Sequence, residues 1–261
     1  MPSFLQDAYT TCTTYFASTP TTRAQLWRII DRHIDTLVHA DGPATGPCCL
    51  VFHLARVQAL LVYQILRLYD GDIAQRHAAE ELTSLLSDWG HQMVDRAIES
   101  SSYVERFRAE HEPNDEAAWQ AWSLAESIRR TWVVCCVVQG TANLMQGREA
   151  KCPGHLRVTA QMGLWDAKSA YAWRVAQRVS GGVMLCGSML GREMEDKARK
   201  GEFDEFGVWT VGVMRAGEVR GEDAVPTVSG RPDLPVSHHP TPRGGRPVGD
   251  LLTRSCGSPR I

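Results

Sequence analysis

Charge of one sign is what this 261-residue chain most plainly lacks: 28 lysines and arginines stand against 30 aspartates and glutamates, a formal net charge of −2. That balance removes the simplest case for a basic nucleic-acid surface, and equally for an acidic disordered chain. Its eight cysteines form two adjacent pairs (Cys48-Cys49, Cys135-Cys136) and four singles (Cys12, Cys152, Cys186, Cys256), with no Cys-x-x-Cys spacing. A disulfide framework needs separated cysteines in a small secreted scaffold, so reduced, structural thiols in an intracellular protein are expected. The start, Met1 to Asp7, has no cationic stretch leading into an apolar run, so no secretory signal is visible. Uninterrupted apolar runs long enough to span a membrane are missing too. The greasiest segment, Cys48 to Leu68, is broken by His53, Arg56, Gln58, Gln64 and Arg67, which predicts a core helix and no contact with membrane. No phosphate-binding loop, dinucleotide fingerprint or Gly-x-Ser-x-Gly elbow occurs.

Alternating β-branched residues are nearly absent, with Val208–Val213 the one weak strand candidate, and helical spacing fills the body. A first helix is predicted from a Ser3 cap to about Ser18, and Thr19-Pro20 starts a second. That second helix lines up Leu26, Ile30, Ile34, Leu37 and Val38 on one face, and Asp41-Gly42-Pro43 opens a loop up to Pro47. Cys48–Tyr69 is apolar over most of its circumference. Its polar residues His53, Arg56, Gln64 and Arg67 fall on one narrow stripe, so neighbours are expected on nearly every side. Asp72 is placed to cap a following helix with Ala74, Ala78, Leu82, Leu85, Trp89 and Met93 on its seam. After a polar connector, Asn114 or Asp115 caps the longest helix, reaching about Gln146. Gly147–Gly163 reads as loop with a short turn, and Trp165–Val179 as helix with Ala172, Trp173 and Ala176 inward. Gly181-Gly182 precedes a helix over Met184–Lys200, and a last short helix opens near Asp204. The fold class predicted is all-α, an irregular multi-helix bundle.

From about Arg215 the texture changes. Seven prolines, seven glycines and no lysine leave few apolar residues to offset the entropy of ordering, so a disordered tail is expected. Seven arginines there face five acidic residues, so the tail carries +2 and the remainder −4. That density is weak for nucleic-acid contact. The expected division is residues 1–212 as a helical regulatory domain and 213–261 as an Arg/Pro/Gly-rich tail.

Few residues suggest chemistry. Asp70-x-Asp72 has the spacing of acidic pairs that hold magnesium against a diphosphate in all-α lyases and cyclases, but magnesium chemistry needs further carboxylates on facing helices. Asn114-Asp115-Glu116, the other acidic group, reads as a cap. Cys152-Pro-Gly-His155 offers two of the four ligands a structural zinc needs, and His238-His239 lies in the tail. Lys197-Ala-Arg-Lys200 is too short for a nuclear-import run and reads as a solvated helix end. No catalytic, cofactor-binding or metal-binding residue is assigned, and no enzyme activity or cofactor is expected.

The most informative block is Trp119-Gln-Ala-Trp122-Ser-Leu-Ala-Glu126-Ser127-Ile-Arg129-Arg130-Thr131. In a helix, Trp119, Trp122, Glu126, Arg129 and Val133 follow at spacings of three and four. Two indoles then abut a carboxylate within reach of guanidinium groups at i+3 and i+4.

At this block the chain resembles the fungal zinc-cluster transcription factors, in the helical regulatory region that follows their DNA-binding head. Three other blocks carry the resemblance in order: Val57 to Asp72, Gly163 to Ala170 with Trp173, and Phe203-Asp-Glu-Phe-Gly207. The six-cysteine zinc cluster and the coiled-coil linker of that family are absent, and the helical pattern ends after Met214. A divergent end, a frame-shifted segment and an intron-read segment remain open for the tail. The resemblance implies a nuclear transcription regulator, or a truncated relic of one, possessing only the regulatory region and touching DNA only indirectly. Its partners would be other transcription proteins or a small-molecule effector, and its targets a metabolic or biosynthetic gene cluster. The rival readings are the lyase or cyclase using Asp70 and Asp72, and a non-functional gene product.

Overall fold

The computed structural model describes residues 2–40, 47–110, 114–149, 158–180, 184–185 and 192–222. Helix dominates them: α1 Ser3–Phe16, α2 Pro20–Val38, α3 Pro47–Asp70, α4 Ile73–Glu81, α5 Thr83–Glu110, α6 Asp115–Met145, α7 Ala170–Ser180, α8 Arg192–Arg199 and α9 Glu205–Glu222. Two two-residue strands, β1 Val158–Thr159 and β2 Met184–Leu185, pair antiparallel. The all-α expectation holds.

Caps explain most of the boundaries. Pro20 sits at the first position of α2, and Thr22 Oγ1 accepts the Thr19 N–H at 3.0 Å. Asp72 Oδ1 accepts the Gln75 N–H at 2.9 Å, and Asn114 Oδ1 the Ala117 N–H at 2.7 Å, as expected of both caps. Asp204 does the same for α9, accepting from Gly207 at 2.8 Å.

Several expectations are corrected. Pro2, not Ser3, precedes α1, and Ser3 lies inside the helix. The predicted helix after Asp72 is two helices, broken at Leu82, whose N–H turns back to Ala79. Its seam runs through Ala79, Leu86, Trp89, Met93 and Ala97, while Ala74 is exposed. The 165–169 stretch is turn, not helix, because Ser169 Oγ takes the Ala172 N–H at 3.2 Å and starts α7 there. In α7 Trp173 is buried and Ala172 exposed. Met184–Leu185 is strand, since it satisfies its backbone against β1. The predicted strand Val208–Val213 is part of α9, which continues past residue 213 to Glu222. Residues 41–46, Cys152-His155, Gly181-Gly182, His238-His239 and the 223–261 part of the expected tail lie outside the described residues.

α3 is the hub: α1, α2, α4, α5 and α6 all pack on it. Its stretch Cys49–Asp70 is long and apolar enough to cross a bilayer by length and composition alone, and most of it is buried in the fold. The core built on it takes Ile30 and Leu37 from α2, Val57 and Leu60 from α3, Leu86 and Met93 from α5, and Ile128 and Val138 from α6. The polar stripe of α3 points inward. Gln64 Nε2 donates to Ala79 O at 2.9 Å, Arg67 pairs with Asp31, and Arg56 spreads its guanidinium over Trp89, 4.5 Å from the ring centroid. Part of the apolar circumference is left facing out instead, with Val51 43%, Ile65 36% and Tyr69 39% exposed. The helix is thus packed on several sides at once, and a strip of its apolar surface, Ile65 included, remains uncovered.

α6 has 31 residues, about 46 Å of helix. It feeds three separate cores: Ala125, Ile128, Cys135 and Val138 enter the main one, Val133 a second with Val158, Ala160, Phe203 and Val211, and Ala118 and Trp122 a third with Leu164 and Trp173.

Candidate functional site: a buried ion cluster beside an apolar cleft

Between the second and third cores, α6 turns charge inward. Glu126 and Arg129 are both fully buried. Glu126 Oε2 accepts from Arg129 Nε at 2.9 Å, from Arg129 Nη2, and from Thr159 Oγ1 at 3.1 Å. Its Oε1 accepts from Arg130 Nε at 3.1 Å and from the Thr159 N–H at 2.8 Å. The i+3 and i+4 pairing expected from the sequence is therefore present. Five donors fill a carboxylate that offers about four lone-pair positions, so Glu126 has no lone pair left to abstract a proton from a substrate. Its role is to hold α6 and β1 together.

Arg130 extends the cluster. Nη2 donates to Thr159 O at 2.9 Å and to Asp204 Oδ2 at 2.5 Å. Two aromatic rings lie against the guanidinium, Trp165 at 4.3 Å and Phe206 at 4.8 Å from Cζ to the ring centroids. Asp204 meanwhile caps α9 and donates its own N–H to Ala160 O at 2.7 Å. α9 can come this close to the 158–161 segment because position 207 is glycine: a Cβ there would lie 2.7 Å from the Ala160 Cβ. Trp122, Trp165 and Trp173 pack together alongside, with Trp122–Trp173 centroids 5.7 Å apart.

A cleft of about 860 Å³ opens on this cluster. Gln58, Leu61, Val62 and Ile65 of α3 form one wall, with Thr131 and Val134 of α6 beside them. Met162, Trp165, Asp166, the start of α9 (Asp204 to Phe206) and Leu5 of α1 complete it, and Arg130 lies at the junction. Gln58 Nε2 donates to Thr131 Oγ1 at 3.1 Å and ties the two helices together there.

The other sequence candidates lie elsewhere. Asp70 Oδ2 pairs with Arg23 Nη1 at 2.9 Å on the surface, and Asp72 serves its cap. Asp115 binds Arg174 of α7, and that hydrogen bond holds its carboxyl below the usual range. Among the described residues no group of three or more His, Cys, Asp or Glu comes together as a metal site. Cys12, Cys49, Cys135 and Cys136 form no disulfide, and burial pushes the Cys135 thiol far up, so it stays protonated. Lys200 and Arg199 at the end of α8 are exposed, Arg199 facing Asp196 at 3.9 Å.

What sequence reasoning missed is the far side of the cluster. The sequence places the opening of the last helix near Asp204. Its bond to Arg130, 74 positions away, has no local signal, and neither does the clasp of Thr159 on Glu126.

The chain is 24% identical over 223 residues to Transcription factor gsfR2 of Penicillium aethiopicum, a match covering 85% of this chain and 53% of that protein. A stretch of that length takes in α3 through α9 wherever it begins, and so includes the ion cluster and the cleft. The chain spans about half the length of the curated relative it matches. It is similar to a fungal transcription factor. No protein-family model matches it, and no solved structure matches it.

Proposed function

We propose that the chain is a transcription regulator, equivalent to the regulatory region of a fungal zinc-cluster factor without the cluster, working in the nucleus on a metabolic or biosynthetic gene cluster. The observation that carries the reading is the similarity to a named transcription factor across α3 to α9. Two features support it: every carboxylate in the buried cluster is committed to internal bonds, and the sequence has no Cys-x-x-Cys with which to bind DNA through zinc. In this reading the chain reaches DNA through other transcription proteins. It acts by favouring one packing of α3, α6 and α9 over another, and a partner or effector shifts that balance only by its differential affinity for the two.

The test is to tether the chain to a promoter through a heterologous DNA-binding domain in a fungal host and read a reporter. Activation or repression severalfold beyond the DNA-binding domain alone is expected. A folded, expressed, nuclear fusion that leaves transcription unchanged contradicts the proposal. In a second arm the purified chain alone should retain no specific DNA at moderate salt, and tight sequence-specific binding would overturn the indirect route to DNA.

A further inference from the structure

We propose that the cleft between α3, α6 and the start of α9 binds an uncharged, largely apolar small molecule that presents a hydrogen-bond acceptor to Arg130. The inference rests on the regulator reading only for its purpose, since it supplies the effector class; the site itself stands on geometry.

Volume comes first. About 860 Å³ lies within the roughly 300–1,000 Å³ usual for pockets that take one drug-sized ligand. The walls, Leu61, Val62, Ile65, Val134 and Met162, are apolar, which favours an apolar body. Ile65 is 36% exposed and lines the cleft, so part of the uncovered apolar face of α3 opens into it.

Charge selects next. The single cation in the lining is Arg130, already neutralised by Glu126 and Asp204. Asp166 and Glu205 add two exposed carboxylates to the rim, so the mouth is net negative. Phosphates, sulfates and carboxylates are repelled from such a mouth, and nucleotides with them.

The remaining donors fix polarity. Arg130 commits Nε and Nη2 to the cluster and packs against two aromatic rings, leaving the Nη1 edge as the direction in which it can donate. A guanidinium held on so many sides is preorganised, so an acceptor meeting it costs little further ordering. A carbonyl oxygen suits that edge. Hydroxyl or amide hydrogens at the ligand's other end suit Asp166 and Glu205.

The test uses the purified full chain and two fluorescent probes of comparable size: Nile red, neutral with a ring carbonyl, and anilinonaphthalene sulfonate, an anion. Nile red is expected to bind saturably at one site, with the sulfonate about tenfold weaker or more, a difference of one decade in Kd. Ile65→Trp fills the cleft from its open wall and should lower Nile red affinity about tenfold or more with the thermal melt unchanged; Val62→Trp is the second variant should the first fail to fold. Asp166→Asn with Glu205→Gln should raise sulfonate affinity. Nile red binding indifferent to both tryptophan variants, sulfonate binding as tight as Nile red, or a dimer that covers the cleft and excludes dye each overturns the proposal. The reporter assay above needs no ligand and the dye assay needs no transcription, so failure of one reading is distinguishable from failure of the other.

Discussion

Two regions of this molecule are held by opposite means. Around α3, the first five helices and one side of α6 share a large apolar core. Beyond α6, the 158–169 segment, α7 and the start of α9 rest, among the described residues, on two smaller clusters, of five and four buried apolar residues. At about 1.5–3 kcal/mol for each fully buried side chain, the large core contributes more in total than the two small clusters, and the second region has fewer such side chains among the described residues. It adds the Glu126–Arg129–Arg130–Asp204 cluster instead. A buried ion cluster stabilises less than the same volume of packed hydrocarbon, but its donors and acceptors match in one arrangement only. The comparison teaches that the α3 region is fixed by quantity of burial and the α9 region by specificity of pairing.

The largest effect that would break this contrast is expected at Glu126. Glu126→Ala leaves Arg129 and Arg130 buried without their counter-charge, and a loss of about 3–5 kcal/mol is expected, seen as an early phase in urea denaturation. A loss under about 1 kcal/mol would show that the cluster is ornamental. Next is Leu60→Ala in the α3 core, expected to cost about 3 kcal/mol and, because α6 leans on α3, to move the main unfolding transition of both regions together. Asn114→Ala removes the cap of α6 and should lower the melting transition by the equivalent of about 1 kcal/mol without altering its shape.

The smallest effect expected is at His53. Burial first, and then the charges of Arg56 and Arg96, holds its pKa below 6.5 in the folded state. As pH falls below about 6.5 the unfolded chain takes up a proton that the folded chain refuses, so stability is lost between that value and the lowered folded one. His53→Leu should flatten the slope of stability against pH in that window. A slope unchanged by the substitution would remove His53 from the account.

Legibility in the sequence follows the same division. The α3 region is visible because its signals are local: Leu26, Ile30, Ile34 and Leu37 recur at helical spacing, and Asp72 and Asn114 announce the helices they cap. Even there the inward turn of the polar stripe was hidden, because Gln64 and Arg67 find their partners, Ala79 O and Asp31, on other helices. In the second region the half of the cluster within one helix, Glu126 with Arg129 and Arg130, was readable from spacing. The half reached through Thr159 and Asp204 was not, since those contacts exist only once the 158–161 segment crosses α6. The cleft was equally invisible, being made from an apolar face that periodicity assigned to the core.

Hydrogen exchange resolved by segment, on the wild-type chain and on Glu126→Ala, tests the division between the regions most directly. Amides of β1, the 160–169 turn, α7 and the first turns of α9 are expected to lose protection in the variant, while those in the middle of α3 keep theirs. Equal loss of protection along α3 and α9, or none at either, would contradict the account.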